Sequence, residues 1–332
     1  MIIQFLGTSA AVPTKERNLP GIILKFEQTP DWMLFDCGEG TQYQLLHTNY
    51  SLPKLSHIFI SHLHGDHVFG IFGLLATRNM NNAQNPLTIV GPKGIKKLLN
   101  SVFKIVENRF DYKINFYEIS SENTDFQIPH AEIKIIPLAH SIPSYAFLIR
   151  EEEKPGKFNV EKAKSMGISP GPVFGRLKRG EKVELEKGKI LDGNDFVEKP
   201  VPGRKIIIAG DNSKPEILSP YLKNCNLLVH EATFTNEIKE KIKDDYFHAT
   251  ALQVAKVSER VHLKNFILTH FSARFSNNYS KTENDLKKMR EEVESVFSGK
   301  FFLANDLDLF QLDMNKILSK INSRKTSDII AG

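Results

Sequence analysis

Three imidazoles and one carboxylate stand within six positions in His62-Leu63-His64-Gly65-Asp66-His67, directly after the run HIFIS that reads as a buried strand. Few folds tolerate that density of ligating groups without a metal ion. Neutral imidazole nitrogen and carboxylate oxygen are donors that zinc accepts at about 2 Å, and an irregular turn with a flexible glycine can aim them at two neighbouring points. His62 and His64 can serve one ion, Asp66 and His67 another. Any one of these histidines taken alone is better explained as a surface turn or a satisfied core residue; the metal reading comes from the cluster.

Further candidates sit where other apolar runs end: His140 after IKIIPLA, Asp211 after KIIIAG and His270 after NFILT. Sites in α/β sheets gather beyond strand ends. Each of these is weak by itself, because a lone His or Asp there is usually a cap or turn residue, but their shared position makes them a second half for the same site. Two zinc ions share charge well through a carboxylate, and Asp211 is the natural bridge. It would hold them about 3.5–4 Å apart, the spacing suited to in-line phosphoryl displacement.

The surrounding pattern is α/β. IIQFLGT, GIILKF, WMLFDCG, HIFISH and LTIVGP read as strands in the first half, KIIIAGD, CNLLVHEA and NFILTHF in the second. GTQYQLLHT, GIKKLLNSVFKIV, ALQVAKVSERV and SKTENDLKKMREEVESVF read as helices. Two β-rich halves with flanking helices imply an αβ/βα sandwich, and 332 residues with 41% hydrophobic content suffice for a substantial core. No stretch approaches the roughly 20 unbroken apolar residues of a membrane span, and the chain enters directly into MIIQFLGTSA, so a soluble, cytoplasmic protein with no membrane partner is expected. Cys37 and Cys225 are too few for a disulfide scaffold and badly spaced for a thiolate zinc site; buried thiols are expected.

A single domain over 1–332 is expected, interrupted at about 151–200 by a charged insertion rich in Gly and Pro that should protrude. Within it Arg176, Lys178, Arg179 and Lys182 outnumber Glu181, four charges against one. On charge alone this is a solvated loop. The net charge of +5 fits a polyanionic partner but is common in proteins that never touch nucleic acid. From about 316 to 332 the chain is polar and basic without periodicity, and a flexible tail is expected.

The spacing of His62, His64, Asp66 and His67 resembles the H-x-H-x-D-H signature of the metallo-β-lactamase superfamily. That likeness implies the fold and a metal site but leaves lactams, thioesters, sulfate esters, peroxides and phosphodiesters open as substrates. A narrower resemblance, to the ribonuclease Z family, runs over nearly the whole chain: FLGTSAAVPTKERN, FDCGEGTQYQL, SHLHGDHVFGIFGLL, GPVFGRLKRG, AGDN, HEATF, HATALQVA and THFSARF. Two departures from that pattern are Asn212, where Thr is commoner, and Ser144-Tyr145-Ala146, where a Gly-Tyr pair is commoner. Neither removes a ligand.

The resemblance implies a tRNA 3′ endonuclease that cuts the trailer from precursor tRNA by hydroxide attack on a phosphodiester. It implies two zinc ions, with manganese or iron able to use the same donors: one held by His62, His64, His140 and Asp211, the other by Asp66, His67, Asp211 and His270. Asp66 would be both ligand and base. His248 is the candidate proton donor to the leaving ribose oxygen, fixed by the capping box Thr250-Ala-Leu-Gln253 and oriented by Glu231, which would raise its pKa. Asp36 would orient a metal-binding histidine and Arg274 would meet a phosphate. Arg176, Lys178 and Arg179, on a knuckle fixed by glycines and a proline, would contact tRNA phosphates from a flexible arm, and a homodimer is implied. The rivals are a general phosphodiesterase or other hydrolase of the same fold, and a metal-binding protein that holds tRNA without cutting it.

Overall fold

In the strands Trp32–Phe35 and Leu55–Phe59, which pair in parallel, Leu34 and Ile58 face one side and Phe35 and Phe59 the other, as the two-residue period requires. Phe35 stacks on Phe59 at 4.8 Å, and both meet Phe147 edge-on at 5.6 and 5.3 Å. Phe147 lies on Ser144–Glu151, a strand of a second sheet. Phe302 against Phe310, at 5.0 Å, closes the two sheets together again elsewhere. Leu34 and Ile58 instead pack with Leu74, Leu75, Ile95 and Leu99 of the helices Ile71–Met80 and Ile95–Ile105. On the far side, Ile207, Leu228 and Phe266 pack with Val254 and Ala255 of Ala251–Arg260 and Met289 and Val293 of Leu286–Glu294. Helix, sheet, sheet, helix is the αβ/βα sandwich expected from the sequence.

These relationships come from a computed structural model that describes residues 1–321 apart from 155, 186–187, 243–246 and 276–285. Its eight-stranded sheet contains the parallel run Trp32–Phe35, Leu55–Phe59, Leu87–Pro92 and Ile114–Ile119. The seven-stranded sheet contains the parallel run Lys205–Ala209, Leu227–Glu231, Asn265–Thr269 and Lys300–Leu303. The inner strands Trp32–Phe35, Lys205–Ala209, Leu227–Glu231 and Asn265–Thr269 are buried almost throughout and read as apolar runs rather than alternating ones, whereas Ile114–Ile119 and Lys300–Leu303 are largely half-buried. Both cysteines are buried. Among the described residues no helix is long and apolar enough to cross a membrane.

The chain divides into two units: Met1–Ile128 with Glu132–Ile149 and Lys205–Gly332, and Pro129–Ala131 with Arg150–Arg204. The second is more than a solvated loop. Ala163, Ile168, Leu177, Val183, Leu191 and Phe196 form a core of its own, between the helices Val160–Ser165 and Pro172–Lys178 and the hairpin of Lys182–Glu184 with Ile190–Asp192. Its apolar residues are spaced too irregularly among charges to announce themselves. The expected knuckle is a helix with Pro172 at its first turn, where a missing N–H costs nothing. Within this unit Arg204 and Glu151 form a buried ion pair, with Nε and Nη2 donating at 2.7 and 2.6 Å.

Two expectations near the carboxyl end change. The chain does not lose structure at Lys316: Leu318–Ile321 pairs antiparallel with Leu309–Leu312, with Leu318 buried and Lys320 bonded to Asp308 at 2.6 Å. The remainder of the expected tail, 322–332, lies outside the described residues. Of the helix read over 280–297, Leu286–Glu294 is helical and 280–285 lie outside the described residues.

Candidate metal centre

Past the ends of Leu55–Phe59, Ala131–Leu138, Lys205–Ala209 and Asn265–Thr269, seven of the expected residues converge. His62, His64, His140 and Asp211 form one cluster, and Asp66, His67 and His270 another. Asp211 faces both. Its Oδ2 lies 3.6 Å from His62 Nε2 and 3.8 Å from His140 Nε2, while its Oδ1 lies 3.5 Å from His67 Nε2 and 3.4 Å from His270 Nε2. Close approach of the two sheets is built in at Gly210, where a β-carbon would stand 2.4 Å from Cβ of Ser61.

Neighbours fix which ring nitrogen each histidine offers. Asp36 Oδ2 takes the Nδ1 proton of His67 at 2.8 Å, and the Phe247 carbonyl takes that of His140 at 3.1 Å. Ser61 Oγ donates to Asp36 at 2.9 Å and so accepts from His62 Nδ1 at 2.9 Å. Thr233 Oγ1 donates to Glu231 at 2.5 Å and accepts from His270 Nδ1 at 3.1 Å. In the neutral rings all four Nε2 atoms are thereby the acceptor nitrogens, turned toward Asp211. His64 is the exception, presenting Nδ1, 3.2 Å from His140 Nε2.

These donors fit divalent cations. Tetrahedral coordination at about 2.0–2.1 Å separates neighbouring nitrogen donors by about 3.3 Å, and the His140–His64 and His67–His270 nitrogen pairs stand 3.2 Å apart. His62 Nε2 is buried without a hydrogen-bond partner among the described residues, an arrangement that is unfavourable unless a cation takes it up. The electrostatics agree. Burial opposes charge on Asp211 and Asp66, yet the surrounding imidazoles hold both carboxyls below the usual range. Burial also opposes charge on His67, but Asp211, Asp36 and Asp66 outweigh it and lift its pKa to about 10. Burial keeps His62 well below its ordinary value.

Beside this cluster, His248 Nδ1 lies 3.0 Å from Glu231 Oε1 and 3.8 Å from Asp211 Oδ2. The expected capping box is present, with Thr250 Oγ1 accepting from Gln253 N–H and Gln253 Oε1 accepting from Thr250 N–H. Burial would lower the His248 pKa; the Glu231 carboxylate overrides it and raises the pKa to about 9. Asp66 Oδ2 accepts the Ala11 N–H at 2.9 Å. At Gly65, expected to lend flexibility, a β-carbon would stand 2.5 Å from Cε2 of the Phe69 ring, so the exposed ring would have to move.

Comparison with known proteins decides the family. The chain is 40% identical over 308 residues to a ribonuclease Z of Brevibacillus brevis, covering 92% of this chain and 95% of that one. The chain belongs to the ribonuclease Z family. A ribonuclease Z of Pediococcus pentosaceus is 38% identical, over 95% of this chain and all of its own length (100%). The family model described as Anti-Pycsar protein Apyc1 matches residues 1–156. Among solved structures, the short form of human tRNase Z shares the fold, with a TM-score of 0.65 and 24% identity over 94% of this chain and 100% of that one. YhfI of Bacillus subtilis, a metallo-β-lactamase fold protein, gives a TM-score of 0.63 at 15% identity over 93% and 98%.

Other residues singled out by the ribonuclease Z resemblance are not among those that form the cluster. Arg176 and Arg179, in the second unit, both donate to Glu181, at 3.0 and 2.7 Å, and are exposed, as is Lys178. Arg274 is exposed on the turn after Phe271–Ser272. Sequence reading missed Ser61, Thr233 and the Ala11 amide, which carry no chemical signature of their own. It also treated Asn212 only as a departure from the ribonuclease Z pattern. In the structure Asn212 N–H donates to Glu231 at 3.0 Å, its Nδ2 meets His230 Nε2 at 3.0 Å and its Oδ1 accepts from Ala139 and Lys214, so it ties its own loop to the loop before His140 and to the strand Leu227–Glu231. The other departure, Ser144, donates its hydroxyl to the Asp211 carbonyl at 2.9 Å.

Proposed function

We propose that the chain removes the 3′ trailer from precursor tRNA as a metal-dependent endoribonuclease, using two zinc ions held one by His62, His64, His140 and Asp211 and the other by Asp66, His67, Asp211 and His270. The observation that carries this reading is the Asp211 carboxylate, with one oxygen turned to each cluster and the Glu231–His248 pair at its side. Cations bound there supply Lewis acidity toward a phosphoryl oxygen and toward the attacking water.

The chain's own residues do the rest. Asp66, steadied by the Ala11 amide, takes the proton of the attacking water. His248, with Nδ1 committed to Glu231, keeps Nε2 for a proton delivered to the departing ribose 3′ oxygen, a poor leaving group as an alkoxide. Asp36 holds His67 in the ligating tautomer. The second unit, through Lys178, Arg176 and Arg179, adds sequence-independent affinity for tRNA phosphates; Arg274 meets a phosphate nearer the cut, and two copies act as a homodimer. Mapping the ends produced from a 3′-extended precursor tRNA tests the reading: a single cut beside the discriminator base supports it. Hydrolysis of small phosphodiesters without tRNA cleavage would point to a general phosphodiesterase.

A further inference from the structure

The cavity at the histidine–aspartate cluster, about 490 Å³, has a mixed lining. Asp66, Asp211, His248 and His270 give it polar surface, and Pro13 and Phe69 give it apolar surface. Phe69 is 59% exposed, although single exposed apolar side chains are ordinary and need no explanation by themselves. Its position is what is unusual. The ring is seated on Gly65, between the cluster residues His64 and Asp66, so closely that a β-carbon at Gly65 would stand 2.5, 2.8 and 3.0 Å from three of its carbons. An aromatic ring thus lies against the turn that carries Asp66 and lines the cleft. Glu39 lines the same cleft, and its carboxylate disfavours a phosphate beside it, which suits Phe69 to a base rather than to the backbone.

We propose that Phe69 is a stacking platform for the base of a nucleotide adjoining the scissile phosphate, an inference that rests on the ribonuclease reading above. Unpaired RNA bases are held on aromatic side chains irrespective of sequence, because every base has a π-face. The platform would splay one base away from its neighbour and bring the phosphodiester between them to the polar side chains of the cleft.

The test uses metal-loaded protein and three precursor tRNAs: the ordinary one, one with an abasic nucleotide immediately 5′ of the cut, and one with it immediately 3′. Phe69→Ala is expected to lower kcat/KM on the ordinary precursor about tenfold or more, and Phe69→Tyr to retain it. On one of the two abasic precursors wild type and Phe69→Ala should cut at equal rates, which identifies the base that stacks. An equal loss with Phe69→Ala on all three precursors overturns the proposal and assigns the residue to the Gly65 turn or, if sedimentation shows the dimer weakened, to a contact between two copies. Failure of wild type to cut the ordinary precursor would instead remove the ribonuclease reading itself.

Discussion

Oε1 of Glu231 accepts from His248 Nδ1 at 3.0 Å and also from the backbone N–H groups of Asn212 and Ala249, at 3.0 and 3.2 Å. One buried carboxylate therefore binds the imidazole to the loop that carries Asp211. Burial disfavours charge on Glu231, but the neighbouring imidazoles hold its pKa at about 2, so it stays ionised and keeps a proton on His248. His248→Ala is expected to lower kcat on precursor tRNA about a hundredfold or more with little change in binding. Unchanged turnover would remove the acid assignment.

The same pair sets the sign of the pH dependence. A proton donor works below its pKa and fails above it, so kcat should fall on the alkaline side. The His248 pKa is lowered by burial and raised past that by Glu231 to about 9; cations in the neighbouring clusters oppose the imidazolium charge, placing the limb in the loaded enzyme below pH 9. Glu231→Gln removes the carboxylate and should move the limb to lower pH. A pH–kcat profile whose alkaline limb does not move would show that Glu231 does not act through His248.

Cation binding should release protons. His67 holds a proton up to about pH 10 because of Asp211, Asp36 and Asp66, in spite of its burial, and an imidazole must lose that proton to ligate. Affinity for zinc is therefore expected to rise about tenfold per pH unit for each proton displaced and to level off above the His67 pKa. Calorimetry in buffers of different ionisation enthalpy measures the release directly; binding with none would contradict the cluster's role.

Glu181 restrains the basic face of the second unit, since Arg176 and Arg179 both spend a hydrogen bond on it. Glu181→Ala is expected to tighten tRNA binding. Lys178→Ala should weaken it and make the dependence of log affinity on log salt shallower by about one unit. Titrations across a salt series check both, and equal affinities for all three proteins would exclude this helix from the RNA contact.

Arg204 and Glu151 are 0% and 1% exposed, so losing the guanidinium takes two short charge-assisted hydrogen bonds from a buried carboxylate. Arg204→Met is expected to destabilise the unit Arg150–Arg204 by about 3–5 kcal/mol. Hydrogen exchange read peptide by peptide should show faster opening of Pro172–Lys178 and Lys182–Glu184. Unaltered protection would mean that this unit is held by its apolar core alone.

The sandwich was legible because its strands are apolar runs with polar ends: KIIIAGD and NFILTHF announce both a buried strand and the residue that leaves it. The metal cluster was legible because histidines at strand ends are rare enough to be noticed together. What fixes those histidines was not. Ser61 and Thr233 orient two rings through hydroxyls that look like any others, and the Ala11 amide reaches Asp66 from 55 positions away. The core of the second unit was hidden for a different reason, its few apolar residues being scattered among lysines and glutamates without a period.

The most direct measurement is cleavage of a 3′-extended precursor tRNA by metal-loaded protein and by Asp66→Ala, with product ends mapped to the nucleotide. The account predicts one cut beside the discriminator base, leaving a 3′-hydroxyl on the tRNA, and none with the variant. Hydrolysis of a small phosphodiester with the precursor left whole, or equal cleavage by both proteins, would contradict it.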